Sequence, residues 1–297
     1  MTTLITPAFE KLMMPGAKID AIAGGFEFTE GPVWNNEKQH LVFSDIHGDT
    51  LYAWSEKGCD VIRRPSGQAN GNTYDLKGRL ITCEHRNRRV SRTLEDGAVE
   101  TLADNYQGKK LNSPNDVICS STGDLYFTDP PYGLMQPDGS IENGELDFFG
   151  VYRFSPRNGS LTLLIDDFIR PNGLLLSRDE SQLFIADTEL LHIRLFDITE
   201  DGTLRNGRIF AELKYENMEG RPDGMKMDTA GNLYVAGGVV GSVWVFDPAG
   251  NLIGLIEFPE GPANLAWGGE ELRTLFVTAR TSVYRLPMNA AGVPVTG

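Results

Sequence analysis

The sequence predicts an all-β fold, a six-bladed β-propeller made of four-stranded antiparallel blades. Three observations support this prediction: short β-branched and aromatic runs between turn residues, a motif that recurs along the chain, and a length that suits six copies of it. Helical periodicity is hard to find, and the 33 Gly and 16 Pro are scattered rather than clustered. Frequent turn residues of this kind are typical of many short strands.

Five of the apolar runs are copies of one another. Each starts with Leu, continues with aromatic or β-branched residues and ends at a small or acidic residue, a composition that favours β-strands. The five runs are Leu41–Asp45, Leu125–Asp129, Leu183–Asp187, Leu233–Gly237 and Leu275–Ala279.

A recurring register precedes these runs and divides the chain into six copies. Each copy begins at an opening position, usually followed by a small or turn residue and then an apolar strand. The opening positions are Glu30, Asn70, Asn115, Asn172, Asp223 and Ala263. They are separated by 40, 45, 57, 51 and 40 residues, close to the length of a four-stranded propeller blade. Six blades therefore account for most of the 297 residues.

The chain is predicted to form a single domain over residues 1–297, since no Pro/Ser-rich linker divides it. Too few residues follow Thr281 to complete four strands in the last blade. We therefore expect Ala17–Ala23 to supply a strand there, so that the N-terminal segment 1–25 helps to close the ring and removes a free edge. The insertion Tyr132–Phe149, rich in Pro, Gly, Asp, Glu and Asn, is a candidate lid.

Charge and composition exclude several classes of function. A net charge of −14, from 27 basic and 41 acidic residues, argues against nucleic acid or an anionic membrane as the main partner. The three cysteines show no zinc-ligand spacing and favour a reducing compartment. The segment Met1–Phe26 resembles neither a signal peptide nor a membrane span. We expect a soluble cytoplasmic protein, and the sequence leaves its oligomeric state open.

Four of the opening positions carry oxygen donors, and the fold predicts that they meet. The first strand of every propeller blade lines the central channel, so equivalent positions converge at one end of it. Glu30, Asn115, Asn172 and Asp223 would then offer two carboxylates and two amide oxygens, a donor set that suits Ca²⁺. We predict one divalent cation, Ca²⁺ first, with Mg²⁺, Mn²⁺, Fe²⁺ and Zn²⁺ left open. Each motif alone is also a good turn sequence, but turns do not explain a polar residue at one shared register.

The chain resembles the gluconolactonase/senescence-marker-protein (regucalcin-like) family of six-bladed propeller lactonases. The resemblance spans roughly residues 26–286 and rests on an ordered set of motifs. These are Glu30–Trp34, Ser113–Val117, Thr128–Gly133, Pro171–Leu174 and Arg221–Gly224. It implies that Glu30, Asn172 and Asp223 bind a catalytic divalent ion, and that Asn115 contacts metal or substrate.

The resemblance implies a metal-dependent hydrolase that opens sugar lactones, such as gluconolactone, to the aldonic acid. The metal would polarise the lactone carbonyl, and we assign Asp223 as general base and acid. The small-molecule lactone would contact residues around the cavity, for which we expect Asn70, His85, Asn112, Asn115 and Tyr132.

Other interpretations stay open. A solvated hairpin position is an alternative for His85, and core packing is an alternative for Tyr132. For the whole protein, the alternatives are a phosphotriester or fluorophosphate hydrolase that uses the same metal site, and a non-catalytic calcium-binding propeller. A serine nucleophile elbow and a phosphate-binding loop are both missing from the sequence.

Overall fold

The protein is a six-bladed β-propeller in which each blade is a four-stranded antiparallel sheet, as the sequence predicts. The computed structural model describes residues 2–238 and 241–295. Blades one to three have their strands in chain order from the axis outward. These strands are β3 Thr29–Asn35, β4 His40–Asp45, β5 Thr50–Ser55 and β6 Gly58–Arg63; β7 Ala69–Tyr74, β8 Leu80–Glu84, β9 Arg89–Thr93 and β10 Val99–Ala103; β13 Val117–Cys119, β14 Leu125–Asp129, β15 Phe149–Ser155 and β16 Ser160–Phe168.

Blades four to six repeat this order, with one strand of blade six taken from the start of the chain. Their strands are β17 Pro171–Leu176, β18 Gln182–Asp187, β19 His192–Ile198 and β20 Leu204–Glu212; β23 Met225–Met227, β24 Leu233–Ala236, β25 Ser242–Phe246 and β26 Leu252–Glu257; β27 Pro262–Gly268, β28 Thr274–Ala279, β29 Ser282–Pro287 and β2 Asp20–Gly24. Strand β1, Thr2–Ile5, adds a fifth strand to blade five by pairing with β26.

The ring closes where the two ends of the chain meet in blade six. Strand β2 pairs antiparallel with β29, so the strand expected at Ala17–Ala23 lies at Asp20–Gly24. Blade six then packs on blade one, where the rings of Trp34 and Phe276 stack with their centroids 5.2 Å apart. This arrangement pairs the outer edge of β29, which would otherwise be free.

The turns inside the blades follow from short polar motifs. In the first hairpin of blade two, Asp75 Oδ1 accepts hydrogen bonds from the backbone N–H groups of Lys77 and Arg79. Gly78 takes a left-handed φ of 70°, which glycine adopts without a steric penalty. Asp228 and Gly231 repeat the same geometry in blade five. The turn type therefore keeps the two inner strands in register.

The apolar core lies between the blades. A representative cluster joins Ile81 and Cys83 of blade two to Cys119 and Phe127 of blade three, all of them buried. Burial of Cys83 raises the pKa of its thiol well above the usual value. Both cysteines thus serve as small apolar side chains in strands, as the sequence indicates.

The remaining elements are short. They are helix α1 Pro7–Glu10, single-turn 3₁₀ helices at Tyr132–Leu134 and Glu270–Leu272, and hairpin strands β11 Asn105–Tyr106, β12 Lys109–Lys110, β21 Lys214–Tyr215 and β22 Met218–Glu219. Thr6 caps α1 by accepting a hydrogen bond from the backbone of Phe9, whose ring is fully buried. Among the described residues, we find no helix with the length and apolar character needed to cross a membrane.

Candidate active site

A cavity of about 460 Å³ lies at one end of the central channel, and all six opening positions line it. They come from the start of the inner strand of each blade. Residues at one position of the sequence repeat therefore form a ring around the channel. A second cavity of about 460 Å³ is lined by residues further along the same strands, such as Val33, Thr73 and Lys226, and therefore lies toward the other end of the channel.

Small residues after the opening positions let the inner strands approach one another closely. A Cβ on Gly31 would overlap the backbone oxygen of Asn70, and a Cβ on Gly173 would overlap that of Asp223. The Gly in the Glu-Gly-Pro and Pro-Asn-Gly motifs is therefore required by contact between neighbouring blades. This explains the recurrence of Gly beside the polar residue.

The amide side chains at the opening positions form a hydrogen-bonded series around the cavity. Asn70 donates through Nδ2 to Oδ1 of Asn115, and Asn115 donates through Nδ2 to Oδ1 of Asn172 at 2.6 Å. Asn172 donates to Thr188 Oγ1 at 2.9 Å, and the Thr188 hydroxyl donates to the backbone oxygen of Pro222 at 2.7 Å. The series connects blades two, three and four and ends beside Asp223.

The two carboxylates of the ring, Glu30 and Asp223, lie where burial disfavours their charge. Burial raises the pKa of Glu30 to about 7, against the lowering effect of hydrogen bonds from the Gly31 N–H and the Asn264 amide. Burial and the charges of Glu30 and Asp116 raise the pKa of Asp223 well above its usual value. Two carboxylates that repel each other in a buried place favour a proton or a cation between them.

Three residues below the ring extend this charge arrangement along the channel. Asn264 donates a hydrogen bond to Glu30 Oε2 at 3.0 Å. Burial raises the pKa of Asp116. The Oδ2 atom of Asp116 is buried without a hydrogen-bond partner. The ammonium group of Lys226 lowers the pKa of both Asp116 and Glu30 by its positive charge. None of these residues was expected at the site from the sequence, although Asp116 and Asn264 directly follow opening positions.

His85 and Tyr132 also line the cavity. His85 is only 5% exposed, so the alternative of a solvated hairpin position is wrong. Its Nε2 atom lies 3.2 Å from Asn70 Nδ2 and 3.3 Å from Asn115 Oδ1, and burial lowers its pKa to about 4. The imidazole is therefore neutral at physiological pH. Tyr132 comes from the insertion and accepts a hydrogen bond from Asn172 at 3.4 Å.

Asn112 differs from the other expected substrate contacts, because it is not among the residues that line the cavity. Its backbone N–H donates to Asp129 Oδ2 at 2.7 Å, and its amide donates to Asp129 and to the backbone oxygen of Phe148. This geometry corrects the expectation that Asn112 faces the substrate. The Asn112 side chain instead connects blade three to the insertion.

Several residues of the cavity were not anticipated. They are Thr188 and three arginines at the rim, Arg170, Arg221 and Arg280. Arg170 and Arg221 each stand two residues before an opening position, so the repeat register could have identified them. Among the described residues, no group of three or more His, Cys, Asp or Glu side chains is arranged to hold a metal. The ring instead combines two carboxylates with amides.

Comparison with known proteins is consistent with this architecture. Residues 28–281 match the family model described as SMP-30/gluconolactonase/LRE-like region. A gluconolactonase of Zymomonas mobilis is 32% identical, over 98% of this chain and 86% of the relative. A pentonolactonase of Haloferax volcanii is 27% identical, over 84% of this chain and 80% of the relative.

The solved structure of a gluconolactonase from Xanthomonas campestris superimposes with a TM-score of 0.87. It is 34% identical and covers 97% of this chain and 94% of that one. From the match over residues 28–281 and these relatives, we conclude that the chain belongs to the SMP-30/gluconolactonase/LRE-like family.

Proposed function

We propose that this protein is a metal-dependent lactonase that opens sugar lactones, such as gluconolactone, to the aldonic acid. One observation carries the proposal: four oxygen-bearing side chains from four different blades line one cavity, and two of them are carboxylates with raised pKa values. The lactonase names of the relatives point to the same chemistry.

The donor set fits a hard divalent cation. Glu30, Asn115, Asn172 and Asp223 would hold the ion, and their carboxylate and amide oxygens suit Ca²⁺ better than a softer metal. The repulsion between Glu30 and Asp223 supports this assignment, because a cation between them would offset it. A bound divalent cation supplies Lewis acidity to a carbonyl oxygen.

Asp223 is the proposed proton carrier. Its carboxylate lines the cavity beside the proposed cation, which would favour the deprotonated form, and it would take a proton from the attacking water and pass it to the leaving ring oxygen. The amide series fixes the neighbouring Asn172, since both ends of that amide are hydrogen-bonded. Asn70, His85, Asn115 and Tyr132 form the cavity wall that would contact the sugar hydroxyls.

The direct test is proton release from D-glucono-1,5-lactone in a weakly buffered assay, corrected for spontaneous hydrolysis. We expect chelator-treated protein to lose activity and to regain it with Ca²⁺, Mg²⁺, Mn²⁺ or Zn²⁺ added singly. An aryl phosphotriester and a fluorophosphate belong in the same panel, and hydrolysis of these alone would contradict the lactonase proposal. Calcium binding by calorimetry without turnover of any compound would instead identify a non-catalytic calcium-binding propeller.

A further inference from the structure

The rim of the cavity is positively charged although the protein carries a net charge of −14. Arg170, Arg221 and Arg280 line the same cavity as the carboxylates Glu30 and Asp223. The cavity therefore has an acidic end at the ring of opening positions and a basic rim. A neutral sugar offers no charge for such a rim to bind.

The repeat register explains why two of these arginines lie side by side. Arg170 and Arg221 stand two residues before Asn172 and Asp223, which places them at equivalent positions of the neighbouring blades four and five. In blades one and six, the equivalent residues Phe28 and Gly261 also line the cavity. In these four blades the position lines the cavity, and blades four and five carry guanidinium groups there.

The charges of these arginines are only partly neutralised. One atom, Glu189 Oε2, lies 3.7 Å from Arg170 Nε and 3.5 Å from Arg221 Nη1. The side chains of Glu189 and Arg221 are 42% and 50% exposed, so this shared pair contributes little stability. Within the described part of the chain, the Arg280 side chain makes no ion pair. Glu189 is thus shared by two of the three arginines, which leaves a net positive charge on this group of four side chains.

Tyr132 contacts both the rim and the proposed reaction centre. The Cζ atom of Arg170 is 6.0 Å from the centroid of the Tyr132 ring. The hydroxyl of the same ring accepts the hydrogen bond from Asn172. Asn172, Arg170 and Arg221 line one cavity, so a sugar lactone with its carbonyl group near Asn172 would have its far end within the same cavity as these arginines.

We propose that the preferred substrate is a lactone of an acidic sugar, with an anionic group on the carbon farthest from the lactone carbonyl. Arg170 and Arg221 bind this carboxylate, sulfonate or phosphate group, because planar guanidinium groups form paired hydrogen bonds to such oxygens. Arg280 adds attraction at the entrance. This assignment of substrate class rests on the proposed lactonase function.

Two pairs of lactones that differ only at carbon 6 test the proposal. They are D-glucono-1,5-lactone with its 6-phosphate, and D-glucono-1,4-lactone with D-glucaro-1,4-lactone. For the cation-loaded protein, we expect kcat/KM to be at least about tenfold higher for one or both charged members. A phosphate preference without a carboxylate preference, or the reverse, identifies the anion that the rim selects. Equal or lower values for both charged members would overturn the proposal.

The double variant R170Q/R221Q keeps side chains of similar length and removes both charges. We expect the charged-to-neutral ratio of kcat/KM to fall about tenfold or more, mainly through KM. The control is Arg205→Gln on the outer strand β20, which is exposed and does not line the cavity. A ratio that is the same in wild type and double variant would contradict the assignment. Far-UV circular dichroism and Tm show whether each variant is folded.

A binding measurement separates failure of the rim assignment from failure of the lactonase proposal. Calorimetry compares 6-phospho-D-gluconate with D-gluconate, which share the carboxylate and differ in the phosphate. Tighter binding of the phosphorylated compound, lost in R170Q/R221Q and kept in Arg205→Gln, supports the anion site even if no lactone is hydrolysed. Equal affinity of the wild-type protein for both compounds would overturn it, whatever the kinetic result.

Discussion

Asn115 donates a hydrogen bond from Nδ2 to Oδ1 of Asn172 at 2.6 Å, although the two residues are 57 positions apart. Each belongs to the start of a different blade, and each amide is also bonded on its other side. The amide of one blade thus fixes the orientation of the next. The geometry of the site is a property of the closed ring and not of any single motif.

We predict that Asn115→Ala weakens both the site and the fold. The substitution removes the acceptor of the Asn70 amide nitrogen at Asn115 and the donor to the buried Asn172 Oδ1, and a buried polar atom that loses its partner costs about 1–3 kcal/mol. Denaturant unfolding should show the loss of stability, and a lactone assay should show reduced kcat/KM. Asn217→Ala, on an exposed residue, is the matched control. An unchanged unfolding midpoint in the Asn115 variant would contradict this role.

We predict that Asp223→Ala abolishes turnover and leaves the fold intact. Loss of a general base and acid lowers rates by about 100-fold or more. Stability should not fall, because the change removes one of two buried carboxylates that repel each other. A pH-stat assay and a thermal melt measure the two effects, with the exposed Asp60→Ala as control. Near-normal activity would refute the catalytic role of Asp223.

We predict that Gly173→Ala disturbs the cavity through the backbone. The added Cβ would overlap the carbonyl oxygen of Asp223 on the neighbouring blade, and such overpacking costs about 1–3 kcal/mol. We expect a lower Tm together with weaker cation binding. The control is Gly144→Ala, where the nearest atoms lie 3.9 Å from the new Cβ. Equal behaviour of the two variants would show that the blades tolerate the added methyl group.

The repeat register made the ring of the site predictable, because equivalent positions of a propeller must converge. Glu30, Asn115, Asn172 and Asp223 reach one cavity for that reason. The same register, extended by two residues, contained two of the three rim arginines, Arg170 and Arg221. The register fixes where each backbone position lies in the propeller. It therefore predicts which side chains reach the cavity, but not the residues to which they hydrogen-bond.

Other positions depended on packing that no local pattern contains. Asn112 is polar and close to the cavity in sequence, yet its amide is taken by Asp129 and Phe148. Lys226 lies on an inner strand, and its charge acts on Glu30 and Asp116 from other blades. Sequence gives the direction of alternate side chains along a strand, whereas these contacts depend on three blades meeting at the axis.

We predict that the N-terminal segment is needed for ring closure through β2 and not through β1. Deleting residues 2–24 removes the strand that pairs with β29 and the buried ring of Phe9, and leaves an unpaired edge in blade six. This variant should melt at lower temperature and form oligomers in size-exclusion chromatography. Deleting only residues 2–5 removes the extra fifth strand of blade five and should have a smaller effect. Equal loss in both variants would contradict the role of β2.

The last prediction concerns the pH dependence of stability in cation-free protein. Burial raises the pKa of Glu30 from 4.5 to about 7, so between these values the folded protein holds a proton that the unfolded chain has lost. The unfolding free energy contributed by this group therefore falls as pH rises from about 4.5 to about 7, and is constant above. Asp129, with a pKa raised to about 7 by burial, adds a fall in the same range.

Glu30→Gln removes the titration of Glu30 together with its repulsion of Asp223. Denaturant titrations of chelator-treated protein from pH 4.5 to 8 should give a shallower fall in the variant than in wild type. Calcium should act in the opposite direction, because it binds the deprotonated carboxylate, so its stabilising effect on wild type should grow as pH rises toward 7. Asp129→Asn should also flatten the cation-free curve but keep this growth, since Asp129 does not line the cavity. If Glu30→Gln kept the wild-type slope and the full calcium response, Glu30 would be neither the titrating group nor a cation ligand.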